Sequence, residues 1–440
     1  MTKTLVTIGP VSEGKNLKYI IKKSEFIRLN MSHNSLNWHK KNINQIKKID
    51  PNKLILVDIP GIKPRTLNDS SVKINKGQLV KFGNNKLAKN IIQLSNHLPK
   101  IKTNTKYFSL SDGTYQFKFV SFKNNILSGI SLQNFILSPK KGLNVPISIY
   151  NNSLQEKKYL SFLKKIYKLK FDCVGLSFIQ NGKIIEVLKK KYPEKLFISK
   201  IENYLGFKNR KEIISHSDAI MVDRGDLAAE VGISNLTEYV EKIIIDAKAY
   251  GKPIIIATEN LNSLISESSP NKSDVTNIDY YISKKIDYIM LSDETATSKN
   301  WKNTIQWFSQ YLRKKENKVK VLKPLSIEQF IKTLKDQTLV IFSKKGYFYE
   351  KISSLEIKNL IMFTEDERLS KILLLKRNAQ SIYAKFPKKY LYKFLYDNIK
   401  KNKEIIFKDN KVAYLVNVIF PRKKSRANSI SIIQKNDFEK

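Results

Sequence analysis

With 440 residues, 41% of them hydrophobic and 10% aromatic, the chain has material for two or three packed domains, and no apolar run approaches the roughly 20 residues a membrane span needs. Its formal charge of +41 suits a polyanion binder, yet only nine of its 80 basic residues are arginine, the residue favoured for base reading and phosphate clamping. The lysines run along the whole length, which marks a compositional drift rather than a binding stripe, so no specific nucleic-acid partner is expected.

A single cysteine, Cys173, rules out an internal disulfide and suits a reducing cytoplasm. The first residues enter an apolar strand pattern directly, with no leader-like segment, so a cytoplasmic location is expected.

Short apolar runs recur at 4–8, 26–29, 54–58, 173–178, 196–199, 219–222, 253–258 and 288–292. Lysine-rich stretches of helical period separate most of them, for example 236–250. Eight strand–helix units predict an α/β fold, a (β/α)8 TIM barrel over 1–65 and 147–312. A doubly wound open sheet is the competing arrangement, but no Gly-rich dinucleotide turn occurs.

Residues 66–146 break the rhythm with alternating runs such as 72–74 and 116–120, punctuated by Gly77, Gly83 and Gly113. This predicts a small all-β lid domain inserted after the third strand. Past Trp307 the barrel pattern is expected to fade into a charged linker at 313–318. A C-terminal α/β domain follows at 320–440, with strands at 339–342, 360–363 and 412–416 and a helix at 368–377.

Polar residues then fall at strand carboxyl ends, the functional face of a barrel: Arg28 and Asn30, Asp58, Ser177, Lys200 and Glu202, Arg224 and Asp226, Thr258, Ser292 and Glu294. Any one of them reads as a solvated rim; seven strands of eight ending this way do not. Glu202 and Asp226 offer hard oxygens to one divalent ion, Mg²⁺ (or Mn²⁺), with Lys200 as a cation beside it. That combination suits a transferring phosphoryl group or an enolate. The turn at Gly225–Asp226 offers backbone N–H groups to an anion. His33 is placed to meet a ligand, whereas His39, His97 and His216 read as surface or capping residues. No zinc spacing, nucleophile elbow or P-loop is present.

On these residues the chain resembles the pyruvate kinase family. The motifs are Thr7-Ile8-Gly9-Pro10, Arg28-Leu29-Asn30-Met31-Ser32-His33, Ser199-Lys200-Ile201-Glu202-Asn203, Arg224-Gly225-Asp226-Leu227, Ala257-Thr258 after Gly251-Lys252-Pro253, and Met290-Leu291-Ser292 with Glu294-Thr295-Ala296. Ser111-Asp112-Gly113 and the run 140–146 are weaker echoes. The match covers residues 1 to about 310 and fades beyond them.

The resemblance implies phosphoryl transfer from phosphoenolpyruvate to ADP, giving pyruvate and ATP. Glu202 and Asp226 would hold the metal, Lys200 and Arg28 would bind the phosphoryl group, and Gly225 with Asp226 would receive the substrate carboxylate. Thr258 would stand near the enolate carbon, and Asn30, His33 and Arg65 would face the nucleotide. The family's monovalent-cation region maps to Asn30, Ser32 and Asp58, but Ile59 replaces a liganding threonine and Lys63 a glutamate. A lysine at that place implies that K⁺ is not required.

Asp223 and Asp293 are extra carboxylates where the family has small residues. The loop 342–347 is a poor phosphate loop, so sugar-phosphate activation is not expected. The family also implies a homo-oligomer, usually a tetramer. Two other readings stay open: a divergent paralogue acting on another enolpyruvyl or phosphate substrate, and a non-catalytic basic binding protein on the same barrel.

Overall fold

The computed structural model describes residues 2–84, 90–96, 98, 100–101, 105–316, 331, 334–346, 349, 352, 354–388, 391–417 and 429–438. All eight expected apolar runs are strands, named here β1 (Lys3–Thr7), β2 (Phe26–Asn30), β3 (Leu54–Ile59), β4 (Cys173–Leu176), β5 (Leu196–Ile201), β6 (Ala219–Asp223), β7 (Ile254–Ala257) and β8 (Tyr288–Leu291). They pair in parallel in the order β1-β8-β7-β6-β5-β4-β3-β2 and close into a barrel. Helices cover the outside and side chains fill the inside, so the strands are apolar throughout instead of alternating.

Asparagine, abundant in this chain, caps the helices. Asn151, Asn181, Asn203 and Asn271 each accept a backbone N–H from the first turn of the helix they precede.

The insertion forms a six-stranded sheet in the order Leu143–Asn144, Tyr107–Leu110, Tyr115–Lys123, Ile126–Ser131, Leu79–Gly83, Ile92–Gln93, beside a two-stranded pair of Phe135–Leu137 and Val72–Ile74. Phe82, Phe108 and Phe117 pack its core. The C-terminal region has five strands in the order Ala379–Tyr383, Asn359–Thr364, Thr338–Phe342, Val412–Asn417, Ser429–Gln434, only the last antiparallel. No helix among the described residues is long and apolar enough to cross a membrane.

Two expectations are corrected. Residues 313–316 are not linker but the last turn of the helix Trp301–Glu316. Ile305, Phe308 and Leu312 carry its buried stripe past Trp307, and Lys315 pairs with Asp279 at 2.7 Å. Asn317 and Lys318 lie outside the described residues. His39 is not a surface residue: it is 2% exposed on the inner face of the helix Leu36–Ile49, where its Nε2 meets the His33 carbonyl at 2.8 Å. His216 is the last residue of the helix Arg210–His216, with Ser217 as its cap, and its part-exposed ring meets Glu186; His97 lies outside the described residues.

The N-terminal mouth of the barrel is stoppered from the C-terminal region. Leu375, at the end of the helix Glu367–Leu375, is fully buried in the same cluster as Leu5, Phe26, Leu54, Tyr288 and Met290. Lys3 Nζ donates to the Lys376 carbonyl at 2.5 Å, and the Tyr288 hydroxyl to the Leu374 carbonyl at 2.6 Å.

Candidate active site

The charged residues at the C-terminal mouth converge on Lys200. Its side chain, 6% exposed, points from β5 to Asp58 on β3 (3.4 Å), Glu202 (3.0 Å) and Asp223 on β6 (3.2 Å), and it donates to Ser177 Oγ at 3.3 Å. Burial alone disfavours the ammonium, but Asp58, Glu202 and Asp223 together outweigh it and hold the pKa well above the ordinary lysine value. Lys200 is therefore a fixed cation.

Arg28 lies beside it, its Nε and one terminal nitrogen donating to Asp58 Oδ2 at 3.0 and 2.7 Å and the other to Thr7 Oγ1 at 3.2 Å. Asp58 also accepts from Ser177 Oγ at 3.1 Å. Burial is offset there by Lys200 and Arg28, which keep its carboxyl below the usual range.

Three carboxylates face one point. Oxygens of Glu202, Asp223 and Asp226 lie within 4.8 Å of one another. Glu202 is fully buried, and burial pushes its pKa well up, with Asp223 and Asp226 adding to the effect. Its Oε1 accepts the Phe178 N–H at 2.6 Å. Asp226 is raised to about 6, chiefly by burial. Hard oxygens at this spacing fit Mg²⁺ or Mn²⁺.

Asp223 links the two ends of the site. Its Oδ2 faces Lys200, while its Oδ1 accepts from Thr258 Oγ1 at 3.3 Å. Thr258 and Glu259 have φ of 62° and 50°, left-handed values that a β-branched threonine adopts only when its surroundings enforce them. Arg224 enforces them: it donates to the Thr258 carbonyl, to Asn260 Oδ1 at 3.1 Å and to Asn277 Oδ1 at 2.6 Å, with its guanidinium over the Tyr281 ring. The Gly225–Asp226 segment is the first turn of the helix Arg224–Val231, and the Gly225 N–H points at Thr258 Oγ1 at 3.2 Å. Glu294 does not join this group; it accepts the N–H groups of Asn260, Leu261 and Ser292 and shapes the loop after β7.

Lys63 stands elsewhere than expected. Its ammonium is not among the partners of Asp58; it bonds Asp226 Oδ1 and, at 2.7 Å, Asp112 Oδ1 at the tip of the inserted domain. Asn144 Nδ2 donates to the same Asp226 oxygen at 3.3 Å. Gly142 leaves room for this approach: a Cβ there would lie 2.5 Å from Lys63 Cε, and the lysine would have to shift. Burial is outweighed by Asp226 and Asp112, so the Lys63 pKa is raised.

Asn30 and Ser32 are engaged locally, with the Ser32 N–H on Asn30 Oδ1 at 3.1 Å. Ile59 is fully buried and offers no side-chain oxygen. Arg65 reaches the Lys140 carbonyl at 3.2 Å, and His33 is held below its ordinary pKa by lost hydration and then by Arg65 and Arg28. The structure thus brings Arg28, Asp58, Lys200, Glu202, Gly225, Asp226 and Thr258 together, with Arg65 and His33 at the edge. The contacts of Lys63 and Asn144 with Asp226 were missed. The one signal for Asn144 was its place in the weak motif at 140–146.

A family description, "Pyruvate kinase, barrel domain", matches residues 1–305. Pyruvate kinase of Thermococcus litoralis is 30% identical over 315 residues, and that of Methanocaldococcus jannaschii 32% identical over 302; each match covers 68% of this chain and 66% of the relative. The matched segment therefore spans just under two thirds of those relatives. A crystal structure of a pyruvate kinase from Cryptosporidium parvum superposes with a TM-score of 0.81 at 22% identity, covering 98% of this chain and 96% of that one. The structure from Pyrobaculum aerophilum gives 0.77 at 19% identity, covering 98% and 99%. The chain belongs to the pyruvate kinase family, and these neighbours share its barrel, lid and C-terminal fold.

Proposed function

We propose that the chain is a Mg²⁺-dependent pyruvate kinase that transfers the phosphoryl group of phosphoenolpyruvate to ADP, taking up a proton to give pyruvate and ATP. The observation that carries this reading is one buried ammonium, Lys200, among three carboxylates, of which Asp58 also binds Arg28 and Asp223 also accepts from Thr258. No side-chain nucleophile is needed, because positioning and fixed charge suffice for phosphoryl transfer.

Lys200 and Arg28 neutralise the phosphoryl oxygens as the group moves. Glu202 and Asp226 would hold the divalent ion, with Asp223 beside them, and the ion would supply positive charge to enolate and phosphoryl oxygens. The N–H groups of Gly225 and Asp226 receive the substrate carboxylate. The Thr258 hydroxyl, held on Asp223, stands where the enolate carbon takes its proton. Asn30, His33 and Arg65 face the nucleotide.

K⁺ is not required in this reading. Ile59 cannot ligand it, and Lys63 supplies a built-in positive charge, delivered to Asp226 rather than to the Asn30, Ser32 and Asp58 region. The domain scheme stays at 1–65 and 147–312 for the barrel, 66–146 for the lid and 320–440 for the C-terminal domain. A cytoplasmic homo-oligomer, unresponsive to sugar phosphates at the loop 342–347, completes the proposal. Asp223 favours one second reading, a paralogue with another enolpyruvyl or phosphate substrate, since its charge faces the phosphoryl-binding lysine.

Pyruvate formation from phosphoenolpyruvate, ADP and Mg²⁺, with and without K⁺, tests this against Lys200→Met. Turnover without K⁺ that Lys200→Met abolishes is expected. Turnover only with K⁺ removes the role of Lys63, and none in either condition leaves the paralogue.

A further inference from the structure

We propose that Asp223 is a built-in anion that competes with the substrate for Lys200 and Thr258, and so sets how tightly an anionic substrate is taken. The inference rests on the phosphoenolpyruvate reading above and adds to it a residue that determines specificity.

The direction of the side chain is the first observation. Asp223 stands at the N-cap of the helix Arg224–Val231, where an aspartate ordinarily accepts an N–H of the first turn, yet its side chain caps nothing. It turns into the mouth instead, 6% exposed, with Oδ2 3.2 Å from Lys200 Nζ and Oδ1 3.3 Å from Thr258 Oγ1. A Cβ on Gly225 would lie 3.8 Å from Thr258 Oγ1 and 3.9 Å from Asp223 Oδ1, so this carboxylate borders the seat assigned to the carboxylate of the substrate. One aspartate thus engages both the cation meant for the phosphoryl group and the hydroxyl meant for the enolate carbon.

The second observation is how unequally the three carboxylates around Lys200 are held. Asp58 takes two bonds from Arg28 and one from Ser177. Glu202 is fully buried, with Oε1 on the Phe178 N–H. Asp223 bonds only Lys200 and the Thr258 hydroxyl among the described residues, so it is the one that can yield. The other cations nearby are committed: Arg28 to Asp58, Lys63 to Asp226 and Asp112, and Arg224 to the Thr258 carbonyl, Asn260 and Asn277. A substrate therefore gains Lys200 and Thr258 by displacing Asp223, against a repulsion that grows with every negative charge it carries.

The test is calorimetric titration of phosphoenolpyruvate and of inorganic phosphate into the Mg²⁺-saturated full chain, Asp223→Ala and Asp223→Asn. Electron paramagnetic resonance gives the Mn²⁺ affinity of each form, and circular dichroism checks that the variants fold. Both variants should bind both anions about 10-fold or more tighter than the parent, as for removal of one buried like charge, with Mn²⁺ affinity kept. A residue that only positions Lys200 and Thr258 predicts the reverse: weaker binding in Asp223→Ala, restored in Asp223→Asn. That reverse pattern, unchanged binding, no binding by any form, or weaker binding together with lost Mn²⁺ affinity, the mark of a metal ligand, would overturn the proposal. Pyruvate formation is read in parallel. Variants that gain affinity in a chain that makes no pyruvate remove the kinase reading and keep the competition. Pyruvate from parent and variants without that gain keeps the kinase and removes the competition.

Discussion

The two mouths of the barrel are built from the same eight strands by opposite rules. At the C-terminal mouth Glu202, Asp223 and Asp226 lie close together, burial raises the pKa of Glu202 and Asp226, and Thr258 keeps a left-handed backbone. At the N-terminal mouth Leu375 fills the barrel, and Lys3 and Tyr288 find carbonyl partners. Strained backbone and close carboxylates collect where charge must be offered to a ligand, and apolar filling where the fold must hold. Activity and stability should therefore separate by mouth.

The largest separation is expected from Lys200→Met, with kcat lowered by about 10³-fold or more, as for loss of a preorganised charge at the reacting group. Steady-state rates check it. The converse is Leu375→Ala, which should cost about 2–5 kcal/mol of stability by opening a cavity, read by denaturant unfolding, with kcat within a few-fold of the parent. A large activity loss with unchanged unfolding would break the comparison.

Asp226 gives a smaller effect, with a defined sign. Its carboxyl, ordinarily 3.8, titrates at about 6 in the fold, so the folded protein binds this proton more tightly than the unfolded chain. The stability it contributes is present below about pH 4 and is lost as pH rises through 6. Metal binding follows the opposite course, because the ion competes with the proton. Mn²⁺ affinity measured by electron paramagnetic resonance should fall by up to about 10-fold per pH unit below 6. An affinity flat from pH 5 to 7 would contradict Asp226 as a ligand. Smallest is Asp112→Ala, which frees the lid tip from Lys63 and should raise the nucleotide KM a few-fold, as for a half-exposed ion pair. No change would show that the Asp226 contact alone holds Lys63.

The barrel was legible because each strand is a short apolar run ending in charge, and that pattern needs no knowledge of neighbours. The lid was legible from period-two alternation between glycine turns. Partners were not. Lys63 meets Asp226 across 163 positions, and nothing local distinguishes it from the other lysines. His39 read as surface because Lys40 and Lys41 follow it, while its partner, the His33 carbonyl, belongs to a preceding loop. The helix 313–316 was hidden by charge, although Phe308 and Leu312 carry its apolar spacing. The stopper did leave a trace: Ile372-Leu373-Leu374-Leu375 is apolar on more than one helix face, which a helix covering a single sheet does not need.

Leu375 also bears on the order of synthesis. The core begun by Leu5 is completed by a residue 370 positions later. A nascent chain that has emerged through β8 has all its strands but still has an open apolar well at one end. Until the ribosome delivers residue 375, that well is exposed, and the growing chain is most vulnerable to mispairing with its neighbours.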